Sequence, residues 1–280
     1  MNSTTHHYSF GYKIVDKEKK EAEAIVNLAQ NECRPLEVGL YFGEPDTLDM
    51  FDSVFRGSSI SLNAHLDHRR ISIFSVRKNE YLLRHQIEMV LKWGGDYAID
   101  HISHFPMTVR AERHHDMMAR LIDSLDYLNS ICREYQFPIH IENTFHKLDF
   151  YQAVFHSIIE NGFDHLHCCF DIGHAKVWSI STMSEWLEFL QQLSHQGIKH
   201  HFHLHANSGL MDDHLSLIEA EKMGYTEPDS FTGQWDYFES LYQIEQQFPE
   251  ARKVFEVPTG AAVENLDYVL QRLADIDGDR

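Results

Sequence analysis

Twenty-one of the 280 residues are histidine, the side chain that both ligates metals in its neutral form and titrates near neutral pH. Their placement matters more than their number. Six short apolar runs end in LNAHLDH, AIDHISH, IHIENTF, CCFDIGH, HFHLHAN and VFEVP. These carry His65, His101, Glu142, Asp171 with His174, His203 with His205, and Glu256. Glu142 and Glu256 follow apolar strand residues, where an unpaired carboxylate is costly to desolvate unless a cation compensates it. Imidazole and carboxylate donors without thiolate suit Zn²⁺, Mn²⁺, Fe²⁺ or Co²⁺, and a carboxylate can bridge two ions. In HFHLH the period of two puts His201, His203 and His205 on one strand face, with His203 the better ligand and His201, the deepest, a packing or supporting residue.

The elements that must hold these residues alternate between β-rich runs and longer amphipathic stretches. Eight strands are expected, at Tyr8 to Val15, Leu36 to Phe42, Ile60 to His65, Tyr97 to His101, Ile139 to Asn143, Leu166 to Asp171, Lys199 to His205 and Lys253 to Val257. Helices are plainest in EYLLRHQIEMVLKW, AERHHDMMARLIDSLDYLNSICREY, MSEWLEFLQQL, YFESLYQIEQQF and VENLDYVLQRLADI. Eight strand-helix units in one α/β domain, residues 1–280, fit a closed (β/α)8 TIM barrel, and no GxGxxG follows any strand to suggest a doubly wound sheet. Such a barrel builds its active site from the C-terminal ends of its strands, where the six runs place their ligand-type residues. The long polar connection at 207–233, which includes Tyr225 and Phe231, is a candidate lid.

Composition narrows the partners. The 24 Lys and Arg against 43 Asp and Glu give a net charge of −19, which disfavours nucleic acid as the main partner. No apolar run reaches the roughly 20 residues of a membrane span, and MNSTTHHYSFGYKIVD has neither a basic start nor an apolar signal core, so a cytoplasmic location is expected. Cys33, Cys132, Cys168 and Cys169 show no CxxC spacing and read as reduced core residues.

The segments IENTF, CFDIGHAKVWS, HLHANSGLMDDHLSL and FEVP, in that order and about one strand-helix unit apart, resemble the xylose-isomerase-like TIM barrels. That superfamily contains the AP endonuclease type 2 enzymes and the sugar and sugar-phosphate isomerases and epimerases. The isomerase branch holds its metal with a Glu, an Asp, a His and a Glu, which the resemblance maps to Glu142, Asp171, His203 and Glu256. The endonuclease branch has a trinuclear zinc site, and its additional ligands map to His65, His101, His174, Asp212 and His214. Two features depart from the endonuclease pattern: Ala206 stands where an Asp is usual, and IEAEKMGY replaces the G-x-G after HLSL.

Two mechanisms follow from the resemblance. One is hydrolysis of a phosphoester on a small substrate, using all nine ligands and two to three zinc or manganese ions. The other is isomerisation or epimerisation of a sugar or sugar phosphate, using one ion and Glu142 with Glu256 as the acid-base pair. A non-catalytic binding barrel is the third reading. Arg69, Arg70 and Lys176 are the clearest rim cations for a substrate phosphate, and His205 is a further candidate for substrate contact. The oligomeric state is left open by the sequence.

Overall fold

The computed structural model describes residues 9–102, 110–226 and 235–278. Eight strands close a barrel in sequence order: β1 Phe10–Val15, β2 Leu36–Gly39, β3 Leu62–His65, β4 Ala98–His101, β5 Ile139–Glu142, β6 Leu166–Asp171, β7 His200–Leu204 and β8 Arg252–Phe255. All eight neighbouring pairs are parallel, including β1 with β8. The expected (β/α)8 architecture is therefore present. Tyr8, the expected start of the first strand, lies outside the described residues, as do residues 227–233 of the candidate lid, Phe231 among them.

Alternation along each strand sends one set of residues outward to the helices. Phe10, Tyr12, Ile14, Leu36, Val38, Ile139, Ile141, Phe170, Phe202 and Phe255 belong to the apolar core there. The other set faces inward and is largely polar. Register pairs Lys13 with Glu37, Glu37 with Asn63, His101 with Glu142, Glu142 with Cys169, and Asp171 with His203. A TIM barrel interior is usually filled by branched apolar side chains. Here buried polar groups occupy it, and each needs a partner.

Two local devices set the rim. β2 stops at Gly39, three residues short of the expected Phe42, because the Asp16 carboxylate accepts the backbone N–H groups of Tyr41 (2.9 Å), Phe42 (2.7 Å) and Gly43 (2.7 Å) and turns the chain. After β7 the chain folds back through an antiparallel bridge between Ala206 and Leu215, with both backbone bonds formed at 3.0 and 2.8 Å. Ser216, in a capping box with Glu219, then starts the helix Leu217–Lys222. Asp212 and His214 are thereby released from capping and point elsewhere.

Candidate metal centre

Three groups of donors adjoin at the C-terminal mouth. In the first, His65 Nε2 lies 2.9 Å from His101 Nε2, and Glu142 Oε2 lies 3.2 Å from each. His68 stacks on His101 with ring centroids 4.2 Å apart and joins this group. In the second, donors of Glu142, Asp171, His203 and Glu256 all lie within 4.8 Å of one another. The third brings together His174, His205, Asp212 and His214 within the same limit. Asp212 Oδ2 sits 3.1 Å from His174 Nε2 and 3.2 Å from His214 Nε2. Glu142 links the groups: Oε2 faces His65, His101 and His203, while Oε1 lies 3.0 Å from His174 Nδ1.

Ring orientation is fixed from behind. Nδ1 of His65, His174, His205 and His214 each donates to a backbone carbonyl, of Leu66 (2.8 Å), Asn143 (2.9 Å), Ala206 (3.4 Å) and Glu256 (3.1 Å) respectively. That bond assigns a proton to Nδ1 and turns Nε2 toward the other donors, although His174 Nδ1 also lies 3.0 Å from Glu142 Oε1. Gly173 makes room for one of these rings, since a Cβ at this position would lie 2.1 Å from His205 Cε1.

Electrostatics follow the same geometry. Burial, reinforced by Lys13, pushes His65 down to about 4, so its ring is neutral. Burial would also disfavour charge on His174, but Asp171, Asp212 and Glu142 override it and hold the ring well above its ordinary value. Against the same cost, Asp212 and Glu256 raise His214 to about 9. Glu142 is held well below the usual carboxylate range by His101 and His203, which outweigh its burial. Glu256 is lowered by Lys13 and His203 despite its burial.

Buried Glu142 Oε1, Asp171 Oδ2, His203 Nδ1, His205 Nε2 and Glu256 Oε2 make no properly directed hydrogen bond among the described residues. Such nitrogen and oxygen atoms converging on one space fit divalent cations, and one thiol, Cys169, also lies within 4.8 Å of His201 and His203. Of the four cysteines expected in the core, Cys33 is exposed at the end of its helix and the other three are buried. All nine positions named from the resemblance lie in these three groups. His205, expected at the substrate, instead stands with the third group, its Nε2 3.1 Å from Asp171 Oδ1.

Of the three cations expected at a substrate phosphate, Lys176 is engaged inside the fold and the two arginines are partly engaged. Lys176 is 3% exposed; its ammonium donates to Tyr225 O at 2.8 Å and lies 4.5 Å from the Tyr237 ring centre, tying the loop after β7 to the sixth strand's helix. Arg69 and Arg70 both pair with the buried Asp67 carboxylate, and Arg69 also donates to Tyr41 O. Both guanidinium groups remain half exposed, at 50% and 59%, with further N–H donors beyond those that meet Asp67.

Glu37 and Lys13 escaped the sequence reading. Glu37, fully buried on β2, accepts from Asn63 Nδ2 (2.6 Å) and His203 Nε2 (2.9 Å), and lies 3.1 Å from both Lys13 Nζ and His201 Nε2. Lys13 Nζ reaches Glu256 Oε1 at 2.6 Å. Their signal was present: a charged residue inside each of the apolar runs GYKIV and LEVGL, the same cue that marked Glu142. His201 also bonds Tyr97 OH at 2.7 Å, beneath the mouth.

No protein-family model and no curated protein sequence matches this chain. Solved structures match it almost end to end. The TTHB071 protein from Thermus thermophilus, solved after soaking with ZnCl2, is 21% identical, with 95% of this chain and 98% of that one covered and a TM-score of 0.66. A D-tagatose 3-epimerase-like protein is 16% identical, covering 97% and 99%, with a TM-score of 0.68. A 3-keto-D-glucoside 4-epimerase from E. coli is 13% identical, covering 94% and 99%, with a TM-score of 0.61. The chain has the fold of the xylose-isomerase-like TIM barrels. Among the described residues no helix is long and apolar enough to cross a membrane.

Proposed function

We propose that this chain is a divalent-metal-dependent isomerase or epimerase acting on a small sugar-class substrate. The observation that carries the reading is the convergence of Glu142, Asp171, His203 and Glu256, with their unsatisfied buried atoms, at the mouth of a barrel shared with proteins titled as sugar epimerases. These four residues would hold the ion, which would supply Lewis-acid polarisation of a substrate carbonyl and so make the adjacent C–H bond more acidic. Glu142 and Glu256, both kept ionised, are the acid-base pair: one takes the proton from carbon as base and later releases it to solvent, and the other takes a proton from solvent and delivers it to the carbon as acid. Lys13 keeps Glu256 in its charged form. The loop through 206–226, fastened by Lys176 and the Ala206 bridge, brings Asp212 and His214 to the mouth beside these residues. The engagement of Lys176 by Tyr225 O supports an unphosphorylated sugar over a phosphorylated one.

A second reading, phosphoester hydrolysis at a multinuclear centre, is favoured by the two-sided environment of Glu142 and by the flanking groups at His65 and at His174. Solvent exchange separates the two. A metal-loaded sample incubated in deuterium oxide with a panel of ketoses and aldoses is expected to place deuterium on carbon beside the carbonyl. Release of phosphate or alcohol from phosphoesters, with no carbon-bound deuterium in any sugar, would overturn the first reading in favour of the second.

A further inference from the structure

His203 is oriented opposite to its neighbours. His65, His174, His205 and His214 each anchor Nδ1 on a backbone carbonyl and present Nε2, whereas His203 turns Nε2 away from the mouth and presents Nδ1, 2.9 Å from Glu142 Oε2 and 3.2 Å from Glu256 Oε2. The acceptor behind it is the Glu37 carboxylate, with Oε1 at 2.9 Å and Oε2 at 3.1 Å. Glu37 comes from β2, across the barrel from β7, and both residues are fully buried. Asn63 Nδ2, Lys13 Nζ and His201 Nε2 surround its other contacts and fix its rotamer.

We infer that Glu37 is the positioning residue that selects which nitrogen of His203 binds the metal, by holding the ring's proton on Nε2 and leaving the Nδ1 lone pair for the ion. A carboxylate behind a ligating histidine fixes its tautomer and raises its basicity, and loss of such a partner costs about 10- to 100-fold in metal affinity. The negative charge of Glu37 is itself balanced by Lys13, the same ammonium that holds Glu256. One buried ion-pair chain, Glu37 to Lys13 to Glu256, thus sets two of the four central ligands from behind. The inference rests on the metal-dependent reading above but not on the identity of the reaction.

The test uses the intact protein with nitrogen-labelled histidine and cadmium as an NMR-active probe metal. Metal-to-nitrogen coupling is expected at His203 Nδ1, with Nε2 protonated. Coupling through Nε2, or none at either nitrogen of His203, overturns the assignment without any variant having to fold. In Glu37→Gln the affinity for the central ion is expected to fall about 10- to 100-fold, with Asn63→Ala, which leaves the Glu37–His203 bond in place, falling less. Wild-type affinity in a folded Glu37→Gln also overturns it, since a residue that merely supports the barrel would lower Tm and leave metal binding unchanged. A protein that shows the Nδ1 coupling yet moves no deuterium into any sugar retains this inference and loses the isomerase reading.

Discussion

The Lys13 ammonium lies 2.6 Å from Glu256 Oε1, whereas among the described residues the side-chain ion pairs of Glu142 are with imidazoles: His65, His101, His174 and His203. The two candidate acid-base carboxylates are therefore unequal. One is paired with an ammonium, and the other with rings that can themselves ligate a metal.

Replacing either carboxylate is expected to remove activity while sparing the fold. Glu142→Gln and Glu256→Gln should each lower kcat by about 10²- to 10⁴-fold and weaken metal retention. Glu256→Gln should lower Tm more, because it strips the buried Lys13 of one of its two carboxylates. Turnover near wild type in either variant would remove the basis of the acid-base assignment.

The first donor group offers a test of how many ions the reaction needs. His65→Ala and His101→Ala leave all four central donors in place, so each variant is expected to keep at least one bound ion and carbon-deuterium exchange within about tenfold of wild type. Plasma mass spectrometry and the exchange assay read both. If exchange disappears while the central ion stays, the flanking group belongs to the catalytic unit.

Metal uptake should depend on pH group by group. His214, raised to about 9, and His174, held well above its ordinary value, are protonated in the metal-free protein at neutral pH and must release protons to ligate. His65, pushed down to about 4, is already neutral. Occupancy of the group at His174 and His214 is therefore expected to rise with pH up through about 9, while the group at His65 fills at lower pH. The metal-free fold shows the opposite trend. A histidine whose pKa is raised on folding adds stability below its unfolded value of about 6.5, and that contribution is lost as pH rises through about 9. Thermal melts of metal-free protein across this window should show Tm falling; a rise would contradict the ion pairs drawn around His214.

Lys176 is expected to behave as a structural residue. Lys176→Met removes the bond to Tyr225 O and the ammonium over Tyr237, and should cost roughly 1 to 3 kcal/mol of stability and expose the loop through 206–226 to protease. It should leave the KM of the metal-loaded enzyme nearly unchanged for an unphosphorylated sugar. A large KM increase with an unaltered Tm would return Lys176 to the substrate.

The sequence by itself determined what is local. Period-two alternation and the types of residue ending each run were enough for eight strands, a closed barrel and the ligand-type residues at the strand ends, because a side chain's face on a strand follows from its own neighbours, whereas Asp212 and His214 came only from the resemblance. LHCCFD was bounded to the residue at Leu166–Asp171, and AERHHDMMARLIDSLDYLNSICREY at Ala111–Tyr135. Contacts across the barrel were decided only by tertiary structure. Glu37 meets His203 from 166 residues away, and Lys13 joins Glu37 to Glu256, because barrel closure staggers β1, β2, β7 and β8 into one layer. Lys176 looked like a free cation in its local sequence and became buried once Tyr225 and Tyr237 folded over it. A charged residue's role depends on which partner reaches it first, and that partner is chosen by the closure of the whole chain.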